Sequence, residues 1–310
     1  MMQIPMASPD IAEAEVEAVL GVLKTPHLSF GPRIRQFEEA AARYAGVRFG
    51  VGVSSGTAGL HMACIAAGVS DGDLVVTTPF SFVASANVIL YERALPVFVD
   101  VRPDTLNVDP ELVSEAVREL HRGPEFARRW LPPSLRESWR WSPERRLKAI
   151  LPVHAFGQPA DMDPILEVAR EYGLAVIEDA CEAVGARYKG RMAGSLGDAG
   201  VFAFYPNKQM TTGEGGMVVT DREDWDALFR SLRNQGRDLF DAWLNHTRLG
   251  YNYRMDELSA ALGLAQMGRL EELLAKRERV AGWYNERLRG VEGVRVPFIA
   301  ETTTRMSWFV

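Results

Sequence analysis

Between residues 47 and 220 the apolar positions fall into short unbroken runs separated by stretches of helical spacing. The runs at 47–53, 74–77, 96–99, 149–153, 174–177, 201–204 and 216–220 read as strands. Those at 57–67, 82–90, 110–120 and 162–172 read as helices. Strands that alternate with helices of this length predict βαβ units and a mostly parallel sheet. Because the runs are apolar throughout, helices are expected on both faces. Two helices precede this region, over 9–24 and about 33–45. Asp10 is placed to cap the first, and Ile11, Val16, Val19, Leu20 and Leu23 form its apolar face; Gly46 ends the second. After about residue 222 the pattern turns helical. A long amphipathic stretch covers 256–289, through Leu258, Leu262, Leu264, Leu270, Leu274, Val280 and Trp283. Short strands are then expected at 294–296 and 307–310, opening a second domain.

One segment breaks the rhythm. Residues 121–147 interrupt a helix-to-strand connection that needs only a few residues. The segment carries Trp130, Trp139 and Trp141 with seven arginines and four prolines. It reads as a surface excursion ordered by its tryptophans, or as a lid or partner-contact element. The chain stops inside an apolar run, which suggests a C-terminal portion cut short.

Composition narrows the class. The 310 residues are 47% hydrophobic and 25% charged, ordinary for a globular chain with one large domain and a smaller one. A net charge of −6 offers no basic field for nucleic acid or an acidic membrane surface. Cys64 and Cys181 match no metal or redox spacing and read as buried thiols in a reducing compartment. The start, MMQIPMASPD, lacks the basic and apolar regions of a signal peptide. No apolar run approaches the roughly 18 residues needed to span a bilayer. A cytoplasmic protein without a metal site is expected.

Three stretches could carry chemistry. Ser54-Ser55-Gly56-Thr57-Ala58-Gly59-Leu60 follows a strand and opens a helix, so small residues let backbone N–H groups approach an anion at a helix N-terminus. The same stretch satisfies G-x-S-x-G, a nucleophile elbow centred on Ser54. A serine hydrolase would then need a histidine, and His154 and His246 are available. The run 174–179 is an apolar strand tipped by Glu178 and Asp179. Ligands sit at such strand ends, and a buried carboxylate there needs a cation, such as a protonated pyridine nitrogen. Finally, Lys208 stands between an aromatic strand and the glycines at 213–216. A lone lysine is by default a solvated side chain; forming a Schiff base would remove its charge and suit a buried setting.

Taken in order, these elements resemble the DegT/DnrJ/EryC1/StrS family of pyridoxal-phosphate-dependent sugar aminotransferases. The resemblance runs from about residue 5 to the end. It rests on Ser29-Phe30-Gly31-Pro32, Ser55-Gly56-Thr57-Ala58, Thr78-Pro79-Phe80-Ser81-Phe82-Val83-Ala84, Pro152-Val153-His154, Glu178-Asp179-Ala180, Phe204-Tyr205-Pro206-Asn207-Lys208, Gly213-Glu214-Gly215-Gly216 and Gly250-Tyr251-Asn252-Tyr253-Arg254-Met255. It implies an α/β, aspartate-aminotransferase-like (type I) fold with a mostly parallel large-domain sheet. Residues 1–235 would be the cofactor-binding domain, and 236–310 linking helices and the start of a small domain.

The cofactor implied is pyridoxal 5′-phosphate, with pyridoxamine phosphate as its aminated form. Lys208 would be the Schiff-base lysine and proton shuttle, and Asp179 would keep the pyridine nitrogen protonated. Ser55, Gly56 and Thr57 would bind the phosphate and Phe82 would stack on the ring. Asn252 would reach the phosphate in a partner subunit of a homodimer with shared active sites. The substrates implied are a nucleotide-linked keto-sugar and an amino-acid donor, L-glutamate. The arginines of 121–147 are candidates for the sugar's diphosphate. Dehydratases of the family carry histidine at the lysine position, so Lys208 argues against that chemistry. Two departures stand out. Ala203 replaces a phosphate-binding serine. Glu182 stands where many members have His or Gln, near the cofactor ring oxygen and the substrate, so it is expected to alter the local proton balance and tune keto-sugar choice.

Overall fold

The computed structural model describes residues 8–136, 146–237 and 245–309. Trp139, Trp141 and residues 1–7 lie outside them, as does Val310. The first half runs α1 (Glu13–Leu23), α2 (Pro32–Ala45), β1 (Phe49–Val53), α3 (Gly56–Ala66), β2 (Leu74–Thr77), α4 (Ala84–Tyr91), β3 (Leu95–Phe98), α5 (Pro110–Arg122), α6 (Pro124–Ala127) and β4 (Leu147–Ile150). It continues as α7 (Met162–Tyr172), β5 (Ala175–Asp179), β6 (Arg187–Tyr188), β7 (Arg191–Met192), β8 (Ala199–Ala203), β9 (Gly216–Thr220), α8 (Glu223–Leu232), α9 (Glu257–Gly268), α10 (Leu270–Leu288) and β10 (Thr303–Arg305).

Local chemistry sets many boundaries. The Asp109 carboxylate accepts from the N–H groups of Glu111 and Leu112, with Pro110 at the first turn of α5. Gly46 and Gly173 take left-handed conformations that close α2 and α7. The Glu257 carboxylate accepts from the N–H groups of Arg33 and Ile34, so one buried acid holds the start of α2 against α9.

The large sheet has the order β1-β9-β8-β5-β4-β2-β3. β9 alone is antiparallel to its neighbours. One face packs under α3, α4 and α8, around Val53, Leu60, Val88, Ile177 and Phe229. The other packs under α5 and α7, around Val76, Val117, Ile150 and Ile165, and further along under α2, α9 and α10, around Phe37, Phe202 and Leu270. Covering both faces explains the uninterrupted apolar runs.

Several expectations need correction. α1 starts at Glu13, and Asp10 pairs with Arg269 and Lys276 rather than capping it. Its buried contacts are Val22 and Glu15, whereas Ile11, Val16, Leu20 and Leu23 are exposed. The stretch at 256–289 is two helices, broken at Arg269. Neither 294–296 nor 307–309 forms a strand. Instead β10 pairs with β6, which pairs with β7, in a small second sheet. Register with a hairpin, rather than apolar content, decides which of these short segments is paired.

The excursion after α5 is ordered through Ala127 and Leu131, both buried in the core on that face. Three of its described arginines are engaged within the segment or with α5. Arg129 pairs with Glu115 and Glu119, Arg122 lies over Phe126, and Arg136 donates to the Leu131 carbonyl. The connection enters β4 at its amino end, the sheet edge opposite Asp179. These arginines therefore do not face the predicted site.

Candidate active site

In a parallel sheet, chain ends and helix N-termini converge at the carboxyl edge. Here that edge gathers the turn after β1, the ends of β5 and β8 and, because β9 runs antiparallel, the start of β9. Ser55 caps α3, its Oγ accepting from the Ala58 N–H at 3.1 Å. Gly56 is buried, and a Cβ on it would lie 2.8 Å from both Ala203 Cβ and Cys181 Sγ. At Gly216, where β9 begins, a Cβ would lie 2.7 Å from the Ser55 carbonyl carbon and 2.8 Å from the Gly56 nitrogen. Glycine is required at both places so that β8 and β9 can press against the start of α3. Ala203, the first departure, is part of that floor.

Asp179 ends β5 and is 6% exposed. Its Oδ2 accepts from Ser85 Oγ at 2.6 Å and its Oδ1 from the Cys181 N–H at 3.2 Å. Burial pushes the Cys181 thiol well above its ordinary pKa, and the Asp179 charge adds to this. Glu178 points the other way. It accepts from the N–H groups of Gly194, Leu196 and Gly197 and faces His154 Nε2 at 2.9 Å. The Ala160 N–H donates to His154 Nδ1 at 3.0 Å, so the proton on that ring sits on Nε2 and is given to Glu178.

Lys208 lies beside Glu182, Nζ to Oε1 at 3.0 Å, and its ammonium sits 4.6 Å from the Phe309 ring centre. Glu182 Oε2 accepts from the Phe156 N–H at 3.2 Å. The lysine's backbone is held too. Arg277 donates to the carbonyls of Asn207 and Lys208, and Gln209 Nε2 donates to the carbonyls of Glu182 and Ser307.

The sequence-predicted residues therefore divide. Ser55, Gly56, Asp179, Glu182 and Lys208 come together, tied by Cys181 and Ala203. Thr57 is on the first turn of α3 and half-buried. Phe82 lies just before α4 at the same edge, 76% exposed. Asn252 is exposed and pairs with Asn234; its neighbour Tyr253 accepts from the Ser54 N–H. Ser85, Cys181, Phe156 and Phe309 escaped sequence reasoning, because their signal is contact across the sheet edge. The hydrolase arrangement is not assembled. His154 spends both ring nitrogens on Glu178 and Ala160, and exposed His246 faces the Gln235 carbonyl. Among the described residues no cluster of His, Cys, Asp or Glu could hold a metal.

A buried acid at a strand end, a lysine paired with Glu182 and a glycine-floored helix start share one edge of an α/β fold of the aspartate-aminotransferase-like class. The DegT/DnrJ/EryC1/StrS aminotransferase family model matches residues 9–310. GDP-perosamine synthase from Caulobacter vibrioides is 41% identical, over 99% of this chain and 76% of that protein. The spore coat polysaccharide biosynthesis protein SpsC of Bacillus subtilis is 38% identical, over 96% and 72%. The crystal structure of DesV from S. venezuelae superposes with a TM-score of 0.82 at 32% identity, over 95% of this chain and 72% of that one. This chain belongs to the DegT/DnrJ/EryC1/StrS family of aminotransferases, and its relatives include sugar aminotransferases of amino-sugar biosynthesis.

Proposed function

We propose that the protein moves an amino group from an amino acid, L-glutamate, to the keto carbon of a nucleotide-linked sugar, using pyridoxal phosphate held at this edge. The observation that carries the reading is the meeting of Lys208, Asp179 and the start of α3 in one place. The residues present fit the cofactor. The glycine at the start of α3, packed where a Cβ would meet Ala203 and Cys181, opens a helix N-terminus whose N–H groups suit a phosphate, and Asp179 is a buried acid suited to a cationic ring nitrogen. Bound there, the cofactor supplies an electron sink next to the bond being broken.

The chain's own residues do the rest. Ser55, Gly56 and Thr57 would hold the phosphate. Asp179, oriented by Ser85, would keep a proton on the ring nitrogen. Phe82 would cover the ring. Lys208 Nζ would hold and move the proton of the donor's Cα, with Glu182 as its counter-ion. Residues 1–235 form the cofactor-binding unit, and α9 and α10 lead toward a smaller domain. The exposed apolar side chains of α1 support a homodimer, in which Asn252 reaches the partner's site. No helix among the described residues is long and apolar enough to cross a membrane. A cytoplasmic setting suits this biosynthetic chemistry.

Purified protein should be yellow, with a visible band that borohydride bleaches, and Lys208→Ala should lose the covalent adduct. A colourless protein that takes up no pyridoxal phosphate refutes the reading. A panel of nucleotide-linked keto-sugars assayed with L-glutamate for 2-oxoglutarate release identifies the acceptor.

A further inference from the structure

The loop after β4 holds one aromatic ring in a costly pose. Phe156 has φ 52° and ψ 25°, the left-handed region that L side chains with bulk avoid. Everything around it is fixed by buried hydrogen bonds. Asn107, 3% exposed, accepts from the Ala155 N–H and donates to the carbonyls of Gln158 and Pro159. His154 is wholly buried, and buried Gln158 exchanges bonds with Phe298 and Ala300. Yet the Phe156 ring, 43% exposed, stands out at the carboxyl edge, edge-on to Phe80 at 5.8 Å between ring centres. Its N–H is fastened to Glu182, the carboxylate that also holds Lys208.

A strained residue persists only where its surroundings over-determine it, and such residues gather at functional sites. The core gains nothing from an exposed ring, so the strain serves what lies beyond it. We infer that Phe156, backed by Phe80, is the aromatic wall on which the acceptor sugar packs its C–H face, and thus a specificity-determining residue. This rests on the proposed sugar aminotransferase reading. Sugar rings present an apolar face suited to an aromatic plane, whereas glutamate presents two carboxylates and little apolar surface. The wall should therefore favour the sugar half-reaction over the glutamate half-reaction. The two oxygens of Glu182 tie the height of the wall to the position of Lys208.

The test separates the half-reactions. Holoenzyme is mixed with L-glutamate alone, and in a second arm with GDP-perosamine, which returns its amino group to the enzyme; each is followed by the cofactor's visible band. Phe156→Gly removes the ring and tolerates the backbone angle, so it should fold and melt no lower than wild type. It should keep the glutamate response and need about ten-fold more GDP-perosamine for half-saturation. Phe156→Tyr should restore sugar binding. Titration of GDP-perosamine into the variants by calorimetry should reproduce the loss and the rescue without turnover. A wild type that responds to both probes with an unchanged Phe156→Gly overturns the wall alone. So does a variant whose dimer dissociates while its sugar response is intact. A wild type that answers glutamate but not GDP-perosamine overturns the choice of sugar and the wall with it.

Discussion

Glu38 offers the sharpest test of how the fold supports the site. The residue is 4% exposed and accepts from three groups. Arg230 Nη1 donates to it at 2.8 Å, Arg233 Nη1 at 2.5 Å and the Gly52 N–H at 2.9 Å. Arg233, 3% exposed, also donates to the Gly52 carbonyl, and its own carbonyl accepts from the Tyr253 N–H. Tyr253 in turn accepts from the Ser54 N–H. The acid thus anchors both sides of the turn that opens α3. Glu38→Ala leaves the buried Arg233 guanidinium without its counter-charge, while Arg230 keeps Asp226. Removing one partner of a buried pair costs about 3–5 kcal/mol. At about 2 °C per kcal/mol for a chain of this size, the melting midpoint should fall by about 6–10 °C. Because the turn loosens, pyridoxal phosphate should also dissociate more readily. Glu38→Gln keeps the volume and loses the charge, so its fall should be intermediate. Thermal melting by circular dichroism reads stability, and the visible band after dialysis reads cofactor retention. A Glu38→Ala protein that melts within about 1 °C of wild type would refute the reasoning.

Other predictions follow from the same packing. Gly56→Ala should cost about 1–3 kcal/mol, because the new Cβ would meet buried Ala203 and half-buried Cys181 at 2.8 Å, and should weaken cofactor retention; equilibrium unfolding and dialysis measure the two. Burial pushes the Glu15 carboxyl up, but hydrogen bonds from Gln266, Ala12 and Arg269 outweigh it and hold the pKa below the usual 4.5. Its contribution is present above about pH 4.5 and is lost as pH falls through the lower folded value. Glu15→Gln should flatten the acid limb of a stability–pH curve and lower stability near pH 7. Burial raises the Cys64 thiol to about 12 and the Cys181 thiol well above its usual value. Native protein at pH 8 should therefore react slowly with a thiol reagent, and both thiols should react at once in denaturant; a fast phase in the native state would contradict this.

Sequence patterning by itself determined the alternation of strands and helices, the parallel character of the sheet and the central trio of motifs. The physical reason is that these features are local. An apolar run of four or five residues can be buried on both faces only as an inner strand. A glycine-rich turn between a strand and a helix has few other uses. Residues 74–77, 162–172 and 216–220 were legible to the residue for that reason.

What remained belonged to the tertiary structure. The outward turn of the α1 face depends on Glu15 finding Gln266 and Arg269, about 250 residues away. The break at Arg269 and the pairing of β10 are likewise set by distant partners. So is the placement of the described arginines after α5, because which edge of a sheet a loop occupies is a matter of strand direction. At the site, the sequence named Lys208, Asp179 and Glu182. Only the folded chain brought Ser85 to Asp179 and fastened Phe156 to Glu182, because these contacts join residues from separate strand ends that share one edge of the sheet.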